Sequence, residues 1–406
     1  MSADIEALRA QFAPIFAKIA ASAAEREQKR ALAYGEVKEL LAAGFGRLRV
    51  PRALGGFDVT IRQQFDLLID LAAADSNLSQ SFRPHLIFVE EQRLNASKGA
   101  KNAELWLKRA VEGKFFGNAV TELGLGAAER YQTAISRASD GSLRLNGEKF
   151  YSTGSLYADY IAVAADLDGR RVSVVVAADA AGLTQKDDWD GFGQRLTASG
   201  YSSYNNVLIA EADILGDGYG RAGRSWATAY LQLTLLASLA GIARRSLEDA
   251  IAWVRPRTRT FSHAPAALPR NDPLVQETIG QIASAAYGAR AAALGVAEAL
   301  DEAIDAGGEN PDLLEKAESA MVSAQGIVIN LSLDAASRIF ETGGASAASG
   351  ALVLDRHWRN ARTLATHNPL SYKYRSLGAN LLNGEELPYH WSAGVRGEPK
   401  TAKETK

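Results

Sequence analysis

Apolar residues near the start of the chain recur at three- and four-residue steps. Ile5, Leu8, Phe12, Ile15, Phe16 and Ile19 mark one face of an amphipathic helix. Pro14 falls inside that run, lacks the N–H a helix uses, and is expected to kink or interrupt it. A second helix spans about Glu36 to Ala43 and stops near Gly44; a third starts from Thr60 as N-cap and carries Phe65, Leu68 and Leu71. From about residue 117 the texture turns to short β-rich runs. Ala134–Arg137 and Leu143–Lys149 flank Asp140-Gly141, a strong hairpin signal, and Tyr160–Ala164, Val172–Ala177 and Tyr204–Ile209 follow. After Gly220 the helical period returns in Ser225–Arg255, Pro273–Ala306, Pro311–Phe340 and a last helix after Pro369, with Ala-, Leu- and Ile-rich faces that a bundle would bury. The expected fold class is α+β. An N-terminal helical domain covers 1–116, a central antiparallel β domain 117–219, a C-terminal four-helix bundle 220–391, and a disordered charged tail 392–406.

Length and charge narrow the function classes. A chain of 406 residues exceeds what one hydrophobic core supports, about 250–300 residues, so more than one unit is expected. The net charge of -2 provides no general basic field for nucleic acid or an anionic membrane. With no cysteine, disulfides, thiolate metal sites and a cysteine nucleophile are excluded. The start, Met1-Ser-Ala-Asp-Ile-Glu6, has no basic n-region, and no apolar run reaches the roughly 20 residues a bilayer needs, so a cytoplasmic enzyme is expected. No phosphate-cradling loop or dinucleotide fingerprint follows a strand, so NAD(P)H is not expected to bind here. His263, His357 and His390 form no metal-ligand spacing and are expected to be surface or structural.

Several local patterns occur in a telling order. Leu48-Arg-Val-Pro-Arg-Ala-Leu-Gly-Gly56 precedes the third helix, Ala119-Val-Thr-Glu-Leu-Gly-Leu-Gly126 opens the β region, and Leu145-Asn-Gly-Glu-Lys-Phe-Tyr-Ser-Thr-Gly154 follows with Ala158-Asp159. Gly343-Gly344 then leads into Asp355-Arg-His-Trp-Arg-Asn-Ala-Arg362. Across nearly the whole chain this succession resembles the acyl-CoA dehydrogenase superfamily. Within it the chain is most similar to the dibenzothiophene monooxygenase branch, through Ala72-Ala-Ala-Asp-Ser-Asn-Leu78 with His85, Asp187-Asp188-Trp189, Trp358-Arg-Asn-Ala-Arg-Thr363, His367-Asn-Pro-Leu-Ser-Tyr-Lys373 and Leu382-Asn-Gly384. The resemblance implies reduced flavin (FMN, with FAD as the alternative) supplied by a separate NAD(P)H-dependent flavin reductase. It also implies a tetramer, with flavin between the β domain and the helical bundle.

An acyl-CoA dehydrogenase must take a weakly acidic α-proton and needs a positioned carboxylate for it. Where the resemblance places that glutamate, about ten residues after the motif arginine Arg359, this chain has Asn368; the other location used by relatives, around Leu231-Gln232-Leu233, has no acid either. An amide cannot accept that proton at neutral pH. The resemblance instead implies oxygen chemistry through a flavin C4a-hydroperoxide. His367 and His85 would position substrate or protonate the peroxide, since an imidazole titrates near neutrality. A second histidine found in relatives three positions before His367 is Leu364 here. Asn118, Thr121, Ser152 and Thr153 are implied contacts of the flavin ring, with Thr153 nearest N5. Arg259, in the cluster Arg255, Arg257 and Arg259, is the implied phosphate cation, with Gly343 and Gly344 allowing close backbone approach. Relatives carry an arginine soon after that glycine where Ser346 stands here. Trp189, Phe261 and Asn368 are candidate pocket residues for a small apolar substrate, aromatic or sulfur-containing. A dehydrogenase with a displaced base and a non-catalytic paralogue remain the alternatives.

Overall fold

The computed structural model describes residues 4–123, 130–217 and 223–389. The chain divides into two units: Met1–Lys114 with Asp190–Thr197 and Arg224–Tyr389, and Phe115–Trp189 with Ala198–Gly223. The end of the Ala119–Gly126 motif, His390 and the tail expected to be disordered lie outside the described residues.

The first unit is helical: α1 (Ile5–Lys29), α2 (Tyr34–Ala42), α3 (Ile61–Ala74), α4 (Ser76–Ser81), α5 (Arg83–Ser97), α6 (Ala103–Val111), α7 (Ala227–Val254), α8 (Pro273–Asp305), α9 (Pro311–Arg338), α10 (Asp355–Ala365) and α11 (Leu370–Asn383). The expected break at Pro14 does not occur; α1 runs through it. An interior proline costs about 3 kcal/mol. Against that, Leu8, Phe12, Phe16 and Ile19 are all buried, with Phe12 edge-on to Phe45 at 5.3 Å, and each large apolar side chain buried is worth about 1.5–3 kcal/mol. Burial wins. Helix α3 starts where the sequence says, with Thr60 and Gln63 forming a reciprocal capping box. Its N-terminus is also capped from far away: the Asp301 carboxylate on α8 accepts from Ile61 N at 2.6 Å and Arg62 N at 2.9 Å. The N-terminal and C-terminal helices therefore form one unit, where two helical domains were expected. Asp272 and Asn310 cap α8 and α9, each followed by a proline in the first turn. Buried Arg49, from the Leu48–Gly56 motif, meets buried Glu90 of α5 in two bonds of 2.6 and 2.8 Å.

The second unit is a sheet of β1 (Phe116–Ala119), β2 (Ala134–Arg137), β3 (Leu143–Ser152), β4 (Tyr160–Leu167), β5 (Arg170–Ala177), β6 (Leu183–Lys186), β7 (Gly200–Ile209) and β8 (Ile214–Asp217). The order is β6-β7-β3-β2-β4-β5-β8, with β1 also on β4. The Asp140-Gly141 hairpin joins β2 to β3, with Gly141 at φ +85° and Asp140 accepting from Ser142 N. The expectation of an antiparallel domain is corrected: β1 pairs with β4 in parallel, and so does β2. β1 lies beside Tyr160–Val163 and β2 beside Asp166–Leu167, so two short segments share one flank of β4. Leu145, Ile161, Val163, Val174 and Val207 form the core beneath.

A buried ion pair joins two of the motifs. Lys149 Nζ is 2.6 Å from Glu122, which also accepts from Gln132 N at 2.6 Å and Thr133 N at 3.0 Å. Burial pushes the Lys149 ammonium down to about 8 against the pull of Glu122. Burial works against the Glu122 charge too, but Lys149 and the two N–H donors hold its carboxyl below the usual range. No helix among the described residues is long and apolar enough to cross a membrane.

Replacing Glu122 with Leu strands the Lys149 ammonium. Urea unfolding should show a loss of about 3–5 kcal/mol, largely recovered when Lys149→Met is added. A single-variant loss under about 1 kcal/mol, the range of an exposed pair, would show that the pair carries no structural weight.

Candidate active site

In the sheet unit, four sequence-selected residues gather at the end of β3. The ladder to β7 shifts register between Lys149 and Ser152, and Tyr151 adopts φ +57°, an uncommon left-handed conformation for an aromatic residue. The chain then turns tightly, with Thr153 N donating to Tyr151 O at 2.8 Å and Asn118 N donating to Thr153 O at 3.4 Å. Thr121 sits beside Phe150 through an isolated bridge. The buried Thr153 hydroxyl lies 2.8 Å from that of Ser199, and the Ser152 hydroxyl 3.0 Å from that of Ser202. Hydroxyls from β3 and the β7 end thus form a small polar cluster, while Tyr151 points outward, edge-on to Trp189 at 5.7 Å.

In the helical unit a second cluster forms around Arg83, which the sequence reading passed over although it stands two positions before His85. Its Nε donates to the Leu231 carbonyl of α7 at 3.1 Å, and its Nη1 lies 3.5 Å from His367 Nε2. A guanidinium only donates, so His367 Nε2 faces it as the acceptor and the ring proton belongs on Nδ1. Although the His367 residue is exposed overall, desolvation by the surrounding protein and then the Arg83 charge push its pKa down to about 3. The imidazole is neutral at physiological pH. Next to it, Asn368 is half-buried and its Nδ2 has no hydrogen-bond partner; on α7, Gln232 Oε1 is in the same condition. The two locations where an acyl-CoA base would stand therefore hold amides with unmet hydrogen-bonding capacity.

His85 is placed differently. It is fully buried in α5, and its Nε2 lies 2.7 Å from the Gly46 carbonyl, which makes that nitrogen the donor. This is a helix-packing bond, and nothing in its geometry assigns the ring to chemistry. His357 is buried as well: its Nε2 and Arg356 both reach Asp249 Oδ2, at 2.8 and 2.7 Å, and burial pushes the ring down to about 4. His263 is exposed.

The glycine pair also has a physical reason. A Cβ at Gly343 would overlap the Trp253 indole and lie 2.6 Å from Arg257 Nη1, and Arg257 donates to the Thr342 carbonyl at 3.2 Å. Of the arginine cluster, Arg257 is the one seated against the glycines; Arg259 is exposed. Phe261 is 69% exposed, with its ring edge toward Gly344. A segment that the sequence reading left unassigned, 190–197, is fastened within the helical unit. Gln194 N donates to Asn360 at 2.6 Å, Leu196 N to Asn77 at 3.1 Å, and Arg359 to the Phe192 carbonyl at 2.9 Å. The motif arginine Arg359 and the Ala72–Leu78 motif are thus occupied in holding backbone. Among the described residues no group of three His, Asp or Glu is arranged to hold a metal ion.

Comparison with known proteins agrees with these features. Residues 233–372 match the family model "Acyl-CoA dehydrogenase, C-terminal domain". The chain is 30% identical over 378 residues to a dibenzothiophene monooxygenase of Mycolicibacterium goodii, covering 88% of this chain and 89% of the relative. It is 27% identical over 380 residues to a probable FMNH2-dependent monooxygenase, SfnC, of Pseudomonas putida, covering 90% and 92%. Among solved structures, TdsC from Paenibacillus sp. A11-2 in complex with FMN and indole superposes with a TM-score of 0.86 at 27% identity, covering 94% of this chain and 98% of that one.

Histidine-selective NMR should show the His367 ring, assigned with His367→Gln, not titrating between about pH 5 and 8, and Arg83→Gln should move its midpoint up toward the ordinary value of ~6.5. A native midpoint already near that value would contradict the neutral assignment.

Proposed function

Because the chain belongs to the dibenzothiophene monooxygenase family on the acyl-CoA dehydrogenase fold, we propose that it is a flavin-dependent monooxygenase. It takes reduced FMN from a separate NAD(P)H-dependent flavin reductase and oxygenates a small apolar aromatic or organosulfur compound. When bound, reduced FMN supplies the two electrons that split O2, one oxygen atom going to substrate and the other leaving as water. The observation that carries this reading is the replacement of both possible carboxylate bases by Asn368 and by Leu231-Gln232-Leu233, beside a neutral His367.

The residues present fit FMN. Asn368 Nδ2 and Gln232 Oε1 have unmet hydrogen-bonding capacity, and the space a side chain at Gly343 would fill is taken by a cation and an indole. Asn118, Thr121, Ser152 and Thr153 would meet the ring edge with amide and hydroxyl groups. Arg257, with Arg259 nearby in sequence and the Gly343-Gly344 backbone, would hold the phosphate. His367, neutral with its proton on Nδ1, would orient substrate through that donor and carry a proton without competing for the charge Arg83 already supplies. His85 would support the site by packing α5. Trp189 and Phe261 would offer apolar surface to the substrate. A homotetramer is supported by large apolar side chains left open on the helical unit, among them Leu274 at 65%, Tyr287 at 79% and Leu382 at 84% exposure. A cytoplasmic location suits a chain without cysteine.

The test supplies reduced FMN and 18O2 to the purified protein with dibenzothiophene and indole as probes. Mass spectrometry should find products carrying one labelled oxygen. No labelled product from either probe, or label in both atoms of an inserted O2, would reject single-oxygen transfer to this substrate class. His367→Ala should lower product formation on the order of 10²-fold, the usual weight of a positioned proton carrier, while hydrogen peroxide release continues. Full coupled oxygenation by that variant would remove its role.

A further inference from the structure

Helix α11 has little apolar anchorage within one chain. Of Leu370–Asn383 only Lys373 is buried, while Tyr372, Leu381 and Leu382 are exposed. Tyr374 lies across Gly326 of α9, where a Cβ would overlap its ring, yet it remains 48% exposed. Lys373, by contrast, is fully buried, and its Nζ lies 3.6 Å from the carboxylate of Glu318 on α9, also fully buried. That separation is longer than a hydrogen bond, and neither Glu318 oxygen accepts one from the described residues.

A buried pair of this kind stabilises little, because desolvating two charges offsets most of their attraction. Burial, only partly countered by Lys373, raises the Glu318 carboxyl to about 7. What such a pair supplies is register. Sliding or rolling α11 along α9 would separate two buried charges with no water to receive them. Pro369 sits at the N-cap of α11 with φ fixed by its ring, so the register of the helix is transmitted to the preceding turn, which holds His367 and Asn368.

We propose that the Glu318–Lys373 pair is the pin that sets α11 on α9 and thereby holds His367 beside Arg83. Lys373 is a positioning residue; it acts on the site only through the backbone between residues 367 and 373. The consequence for oxygen transfer rests on the role given to His367 above. The pin itself does not.

Full-length protein carrying Lys373→Met tests it by hydrogen–deuterium exchange and histidine-selective NMR. Peptides within 366–383 should exchange about tenfold faster while α7 and α8 stay unchanged, and the His367 midpoint should rise toward ~6.5 as it leaves Arg83. Lys373→Arg, which keeps charge and reach, should restore both. If Lys373→Met does not fold, Glu318→Gln, similar in shape, carries the same expectations. Unchanged exchange in 366–383 with an unmoved His367 overturns the proposal. So does faster exchange spread evenly over all helices, which would make the pair a general stabiliser. Neither readout needs a substrate, so a protein that oxygenates no probe still tests the pin.

Discussion

Arg83 reaches the Leu231 carbonyl with one nitrogen and His367 Nε2 with another, at 3.1 and 3.5 Å. A permanent positive charge in that place disfavours a second one on the imidazole, and the protein around the ring disfavours it further. Whatever chemistry uses His367 therefore starts from a neutral ring with its proton on Nδ1. The same contact ties α5, α7 and the turn before α11 to one point, and the groups next to that point, Asn368 and Gln232, are amides. A cation, a neutral imidazole and two amides can orient and donate. They do not form a base strong enough for an α-proton of a thioester.

Charge burial recurs beneath the motifs that carry the family likeness. Arg49 of the first motif meets Glu90, Glu122 of the second meets Lys149 of the third, and Arg359 of the last reaches Glu27 and the Phe192 carbonyl. Each joins segments distant in sequence, and removing one partner would leave an uncompensated charge in the interior. These motif residues hold the scaffold, and the features specific to this chain stand between them.

Local chemistry was the part legible in sequence. The Thr60 cap, the Pro-led starts of α8 and α9, and the Asp140-Gly141 turn depend on neighbours a few residues away, and each lies where its signal placed it. Long-range choices were not. Parallel pairing of β1 and β2 with β4 leaves no trace in alternation, and Pro14 could not reveal how much apolar surface its helix buries. The fastening of 190–197 rests on Asn77 and Asn360, residues whose side chains give no sign of their partners. Around the site, the hydroxyl group at the end of β3 and the neighbourhood of His367 were legible through the likeness. Arg83 was hidden by the proline and histidine that follow it, and His85, selected on the same likeness, is a buried donor to Gly46. Arg257 and Arg259 could be separated only by seeing which one faces Gly343.

The most direct measurement of the central claim is an anaerobic titration of FMN-loaded protein with a saturated acyl-CoA, followed at the oxidised flavin band. The account predicts that the band persists and no enoyl-CoA forms, because no carboxylate stands where the α-proton must be taken. Bleaching of the band with stoichiometric enoyl-CoA would contradict it.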